Sequence, residues 1–231
     1  MDPHAVNLAV IAGEGNRDEN VFELNYGVFH GTAFCLAPEV FLTAGHVFRD
    51  AEGDGDVALA RLTPGHHQAQ TVRDSELFDD IDLAIMVCPN LGAEILPFHF
   101  SPLYYLHDVF AMGFAFGFEP PVYHLRAFKG HVVTRRSLAD LPGAPPGYEV
   151  SFVPPPGLSG APALVERADG SPMIVGMVLK HHTAEFRDRR MDLGLVLDIE
   201  ELLTRDSRIL GGSIAQRRFG RPRVVRNPRG A

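Results

Sequence analysis

Short apolar runs, each ended by turn-forming residues, recur along this chain and limit what it can fold into. They include Val21–Phe29, Ala33–Leu36, Val57–Leu62, Leu83–Cys88, Val109–Phe116 and Ile174–Leu179. Runs this short suit strands better than helices, which need a longer 3.6-residue period. Between them stand Asp54-Gly55-Asp56, Pro64-Gly65, Pro89-Asn90, Pro142-Gly143 and Asp169-Gly170, at the spacing of an all-β barrel or sandwich. No strand–helix–strand alternation is visible. The one helix the sequence announces lies near the end. There Asp198 can cap a segment through Glu200, Glu201, Leu202 and Leu203, with acids in its first turn.

A chain of 231 residues, 45% of them hydrophobic, can bury one sizeable core or two small barrels packed together. We expect a single unit over residues 1–211. The strand pattern lapses around Pro97–His107, which places a linker between halves at about 15–97 and 107–198. Residues 212–231 hold six arginines and no acid, and removing those charges from the formal net charge of −8 leaves −14 on the preceding body. Arginine clusters can neutralise phosphates. The Gly, Pro and Arg content and weak apolar periodicity favour a solvated, disordered tail instead, so nucleic acid is not the expected partner. Cys35 and Cys88 sit inside apolar runs and read as reduced core thiols, too few for a disulfide framework. The apolar stretch within Met1–Ala12 follows Asp2 and His4, with no Lys or Arg before it and no cleavage site, unlike a secretory signal. No apolar run is long enough to span a membrane. The expectation is a soluble, cytoplasmic protein with no membrane partner.

Three places carry chemistry. Thr43-Ala44-Gly45-His46 follows strand-like residues, and an imidazole at a strand end can take a proton from a hydroxyl and return it to a leaving group. Asp82 stands directly before the apolar run Leu83–Met86, where an acid is costly unless a partner uses it. Held against an imidazole N–H, it would fix the tautomer and stabilise the imidazolium. Asp79 and Asp80 read as solvated turn residues. The third is Pro156-Gly157-Leu158-Ser159-Gly160-Ala161-Pro162. Small neighbours let a carbonyl approach the Ser159 hydroxyl, and Gly157 can aim its N–H, with that of Ser159, at a developing oxyanion. The nucleophile elbow of an α/β-hydrolase does not fit, because Ala161 holds its second glycine position.

The order His46, Asp82, Ser159 is that of the triad on chymotrypsin-type barrels. From Gly31 to Ile199 the chain resembles the trypsin-like serine peptidase family, in motif style closest to bacterial and HtrA-like members. The resemblance rests on Gly31-Thr32-Ala33-Phe34 through His46, Asp82-Leu83-Ala84-Ile85, Val109–Phe114, Gly130–Val133, Gly157–Pro162, Ile174–Val178 and Leu193–Leu197. It implies an all-β fold of two packed antiparallel six-stranded barrels with a short C-terminal helix. It also implies a serine endopeptidase acting on polypeptides through an acyl-enzyme, with the triad between the barrels and Gly157 and Ser159 as the oxyanion hole. An HtrA-type chaperone architecture with a PDZ-like second domain is not expected.

Where animal digestive proteases carry an aspartate that pairs with a released amino terminus, this chain has Leu158, so activation by cleavage is not expected. Pro154-Pro155-Pro156 can stiffen the loop by fixing φ. The residue expected at the pocket floor is Val153, which gives no acid to select Lys or Arg. The pocket residues are read as Val153, Val178, Leu179, Lys180 and His181, and Lys180, His181 and His182 could form a cationic rim. His66-His67 and His181-His182 lack zinc-peptidase spacing, and Gly113–Gly117 lacks the Lys and Ser/Thr of a phosphate loop. No metal or cofactor is expected. The rival readings are a non-catalytic peptidase-fold binding module and a latent protease awaiting a regulatory partner. The presence of all three triad residues with Gly157 argues against the first.

Overall fold

In the computed structural model the apolar runs pair into antiparallel sheets. The structure describes residues 8–12, 29–53, 56–63, 66–91, 95–99, 102–116, 123–136, 145–186, 189–213 and 215–216. The expected strand over 21–28, the turns at 54–55, 64–65 and 142–143, and the arginines after residue 216 lie outside those residues.

The first sheet contains β1 (Leu8–Ala12), β2 (Phe29–Ala37), β3 (Val40–Ala44), β4 (Ala58–Thr63), β5 (His66–Thr71), β6 (Asp74–Phe78) and β7 (Leu83–Val87), in the order β5-β4-β1-β2-β3-β7-β6. The described residues thus show seven strands, with β5 and β6 at the two ends, where a closed six-stranded barrel is expected. Part of the difference is β1. It lies upstream of the expected boundary near residue 15 and inserts between β2 and β4. The end strands also escape an apolar reading, since β5 is His-His-Gln-Ala-Gln-Thr and β6 is Asp-Ser-Glu-Leu-Phe. A strand at the end of a sheet buries little and keeps its polar residues.

The second sheet meets the expectation. β8 (Asp108–Phe116), β9 (Tyr123–Arg136), β10 (Gly147–Val150), β11 (Pro162–Glu166), β12 (Pro172–Phe186) and β13 (Arg189–Asp198) close into a six-stranded barrel, β10-β13-β12-β11-β8-β9. The continuous apolar run within β12 has a visible cause. In β12, Val175 and Val178 join Val109, Ala111, Val150 and Val196 in one cluster, while Ile174, Met177 and Leu179 join a second cluster shared with Phe34, Leu42 and Ile85 of the first sheet. Residues that alternate between two cores produce a continuous apolar run. The shared cluster fastens the two sheets together.

Two helices accompany the sheets. Helix α1 (Gly45–Gly53) follows β3 directly, and the short α2 (Ile199–Thr204) follows β13. The Asp198 side chain accepts from the Glu200 N–H at 3.1 Å as the cap of α2. Beyond α2, β14 (Asp206–Ser207) pairs with β15 (Gly212–Ser213), which begins the segment expected to be a tail. This hairpin returns to the first sheet. Ser207 Oγ donates to Glu76 Oε2 at 2.6 Å, and Arg208 grips Asp74 with two bonds of 2.8 and 2.9 Å. No helix among the described residues is long and apolar enough to cross a membrane.

Candidate active site

β3 and β7 are paired so that Ala44 faces Leu83. The residues just beyond the end of one strand and just before the start of the other, His46 and Asp82, are thereby brought together. His46 is the second residue of α1, a helix with no acid in its first turn. Every helix start leaves N–H groups without intrahelical partners, and here Asp82 takes two of them. Its carbonyl accepts from Gly45 N–H and its Oδ1 from His46 N–H, both at 2.8 Å. The other face of the helix is held by Val47, Phe48 and Ala51, all buried.

The His46 ring Nδ1 donates to Asp82 Oδ2 at 2.7 Å. Asp82 is 19% exposed and His46 34%, so the pair is shielded on the carboxylate side and open on the imidazole side. Arg49 Nη2 adds a longer contact to Asp82 Oδ1, 3.4 Å. Burial raises the Asp82 pKa. The ring and backbone bonds from His46 and the Arg49 charge outweigh it and hold the carboxyl below its ordinary 3.8. Asp82 pays for its position in backbone geometry, with φ 54° and ψ 49° at the end of a 3-10 turn over Asp79–Ile81. Left-handed angles cost a non-glycine residue roughly 1–2 kcal/mol, and aspartate tolerates them better than most. The neighbouring acids lie in the turn, solvated as the sequence suggests, and the structure adds their partners. Asp79 and Asp80 are exposed, yet Asp79 is paired with Arg49 and Asp80 with Arg205 at 2.6 Å.

The Ser159 loop is fixed by β2 and β12. Gly160 N–H donates to Val178 O at 2.8 Å, Leu158 N–H to Pro155 O at 3.1 Å and Ala161 N–H to Leu158 O at 3.0 Å. Among the described residues, the loop N–H groups left without a partner between Gly157 and Ala161 are those of Gly157 and Ser159. Gly157 and Gly160 have φ of 88° and 83°, angles that admit glycine without strain. Gly160 is also pressed against β2 and against β3, the strand that leads to His46: a Cβ there would lie 2.1 Å from Thr32 O and 2.3 Å from Thr43 Oγ1. At Gly31 a Cβ would meet Val47 Cγ1 at 2.6 Å and Ser159 O at 2.9 Å. The backbone of Ser159 and the residue after His46 therefore converge on the same point of β2.

Sequence reasoning missed the residue that organises this convergence, Thr32. It is fully buried. Its hydroxyl donates to Gly157 O at 2.8 Å and accepts from Phe114 N–H at 3.0 Å, while its own N–H donates to Ser159 O at 2.9 Å. Thr43 Oγ1 completes the set by donating to Thr32 O at 2.8 Å. The available signal was a threonine directly before the apolar run Ala33–Leu36, where a buried polar group needs partners.

A family model described as "Trypsin-like peptidase domain" matches residues 31–177. The chain belongs to this family. Membership makes it a trypsin-like serine peptidase, a hydrolase of peptide bonds. Among solved structures, the active form of the Rv3671c protease from M. tuberculosis is similar at a TM-score of 0.60 and 19% identity, covering 85% of this chain and 77% of that one. Deg5 is similar at 0.58 and 18% identity, with 84% of each chain covered. An HtrA-type protease, AlgW, with a tripeptide is similar at 0.59 and 15% identity, covering 85% of this chain and 57% of that one. At these identities the likeness is one of fold. No curated protein sequence matches the chain.

In this peptidase the residues read as a specificity pocket fall into two groups. Val178 and Leu179 are buried at 0% and 2% exposure, in the barrel cluster and the shared cluster respectively. The register of β12 against β13 shifts between Val178 and Lys180, leaving Leu179 without a partner across the ladder. Val153 is 47% exposed, and Lys180 and His181 are exposed on β12.

Proposed function

We propose that the peptidase cleaves polypeptides with His46, Asp82 and Ser159 as its triad. The observation that carries the reading is the 2.7 Å bond from His46 Nδ1 to Asp82, set against a serine loop whose uncommitted N–H groups are those of Gly157 and Ser159. In this mechanism Ser159 Oγ attacks the scissile carbonyl carbon while His46 Nε2 takes the hydroxyl proton. The carbonyl π electrons move to oxygen, and the N–H groups of Gly157 and Ser159 bind the resulting oxyanion. Collapse re-forms the carbonyl, and the departing amine takes its proton from His46. The acyl ester on Ser159 is hydrolysed by water through the same steps. Asp82 keeps the ring in the tautomer with a proton on Nδ1 and offsets the imidazolium charge.

β12 pairs with β11 as far as Met177, and Val178 is bonded through both backbone groups to Gly160 and Ala161 of the serine loop, so from Leu179 onward that edge carries no strand among the described residues. An extended substrate can pair there, passing Lys180 and His181. Val153 offers no charge for a basic side chain, and the exposed Lys180 and His181 favour acidic or polar ones. The catalytic unit runs from β1 through β15, and polypeptide is its partner. Labelling with an active-site phosphonate and peptide mapping tests the assignment. Modification of Ser159 that is lost in His46→Ala supports it, and an unlabelled Ser159 in active protein contradicts it.

A further inference from the structure

Asp79 and Asp80 precede Asp82 on one tight turn, and each is held by an arginine from a different part of the chain. Arg49 lies three residues after His46 on α1, so both side chains leave the same face of the helix. Its guanidinium bridges the turn, with Nη1 on Asp79 Oδ1 and Nη2 at 3.4 Å from Asp82 Oδ1. Arg205 comes from a separate part of the chain, directly after α2, with Nη2 at 2.6 Å from Asp80 and 3.8 Å from Glu201. The turn they grip ends in the left-handed conformation of Asp82. Such a conformation persists where its surroundings over-determine it.

We infer that Arg49 and Arg205 are positioning residues for the reaction, a clamp that keeps the Asp82 carboxylate aimed at the His46 ring. The inference rests on the triad reading above. Arg205 lies outside the matched span of residues 31–177, so the clamp draws on a residue that the family match does not reach. Both arginines act through the Asp82 turn, since neither reaches the Ser159 loop by any described contact. Arg208 supplies the comparison. It ties the same segment to Asp74 on β6, away from the Asp82 turn, and so contributes to the scaffold without holding the carboxylate.

The test compares wild type with Arg49→Gln, Arg205→Gln, Arg205→Lys and Arg208→Gln by kcat, KM and thermal midpoint. It also follows the downfield Nδ1 proton of His46 by NMR in the same proteins. The clamp predicts that kcat falls roughly three- to thirtyfold in the first two variants, because small misplacements of catalytic groups are expensive, with KM within about twofold of wild type. Their Nδ1 resonance broadens or moves. Arg205→Lys, which keeps the ion pair, recovers most of the rate, and Arg208→Gln alters the thermal midpoint but not kcat. Unchanged kcat and an unchanged resonance in Arg49→Gln and Arg205→Gln overturn the clamp, as does an equal loss in Arg208→Gln. Asp82→Ala and Ser159→Ala separate the two levels. Full activity in either refutes the triad, whereas their inactivity beside fully active arginine variants refutes the clamp alone.

Discussion

The Thr32 hydroxyl donates to the Gly157 carbonyl across 2.8 Å, joining residues 125 positions apart. Fixing that carbonyl fixes the peptide that follows Gly157, on the approach to Ser159. The Thr32 hydroxyl oxygen also accepts from Phe114 N–H, so β2, β8 and the serine loop meet at one buried atom. Thr32→Val keeps the shape and strands both partners. An unsatisfied buried polar group costs about 1–3 kcal/mol. We expect a lowered thermal midpoint and a fall in kcat that exceeds the change in KM, with Thr32→Ser recovering both. A Thr32→Val protein as stable and as active as wild type would show the hydroxyl to be dispensable.

Gly160 combines a positive φ with contacts that leave no room for a side chain. Gly160→Ala should therefore fail to fold or lose more than about 4 kcal/mol, the range of severe core defects. Gly53, at the end of α1, has nothing within 4 Å of its would-be Cβ. There alanine should stabilise by up to about 1 kcal/mol through helix propensity. Urea unfolding of the two variants checks the contrast, and similar midpoints would contradict it.

Burial raises the Asp82 pKa, but the bonds from His46 and the Arg49 charge leave it below its ordinary value. A carboxylate lowered in the folded state stabilises the fold above its unfolded pKa and loses that contribution as pH falls through the folded one. Urea midpoints of wild type should decline as pH drops below about 4, and Asp82→Asn, with nothing to protonate there, should decline less steeply. Glu76 is also lowered. Burial raises it, and the bonds from Ser207, Arg208 N–H and Ile209 N–H outweigh that, so Glu76→Gln should flatten the same acid limb. Parallel curves for wild type and both variants would contradict the linkage.

Burial pushes the Cys88 thiol up to about 12, and Cys35 is as deeply enclosed, at 3% exposure. Neither should react with iodoacetamide at pH 8 in the native protein, because the thiolate is the nucleophile. Both should react after unfolding in guanidinium. Mass spectrometry reads the result, and rapid native alkylation at Cys88 would contradict its placement.

The strands buried on both faces were legible as apolar runs. Leu83–Val87 and Asp108–Phe116 stand close to where the pattern put them. Helix α1 was not legible, because the groups that satisfy its first N–H donors belong to Asp82, 36 residues away, and a local cap signal is absent. The same non-locality hid the ion pairs of Asp79 and Asp80, whose arginines come from α1 and from beyond α2. β5 and β6 were missed because end strands need little apolar surface. His46, Asp82 and Ser159 stood out for the opposite reason. Each needs particular small or apolar neighbours in sequence, and those neighbours are themselves a signature.

Proteolysis of a diverse peptide library by wild type and by Ser159→Ala at equal concentration tests the central claim most directly. The account predicts cleavage by wild type, enriched at acidic or polar side chains over Lys and Arg, with turnover lower by on the order of a millionfold in Ser159→Ala. Equal cleavage by both proteins, or none by wild type, would contradict it.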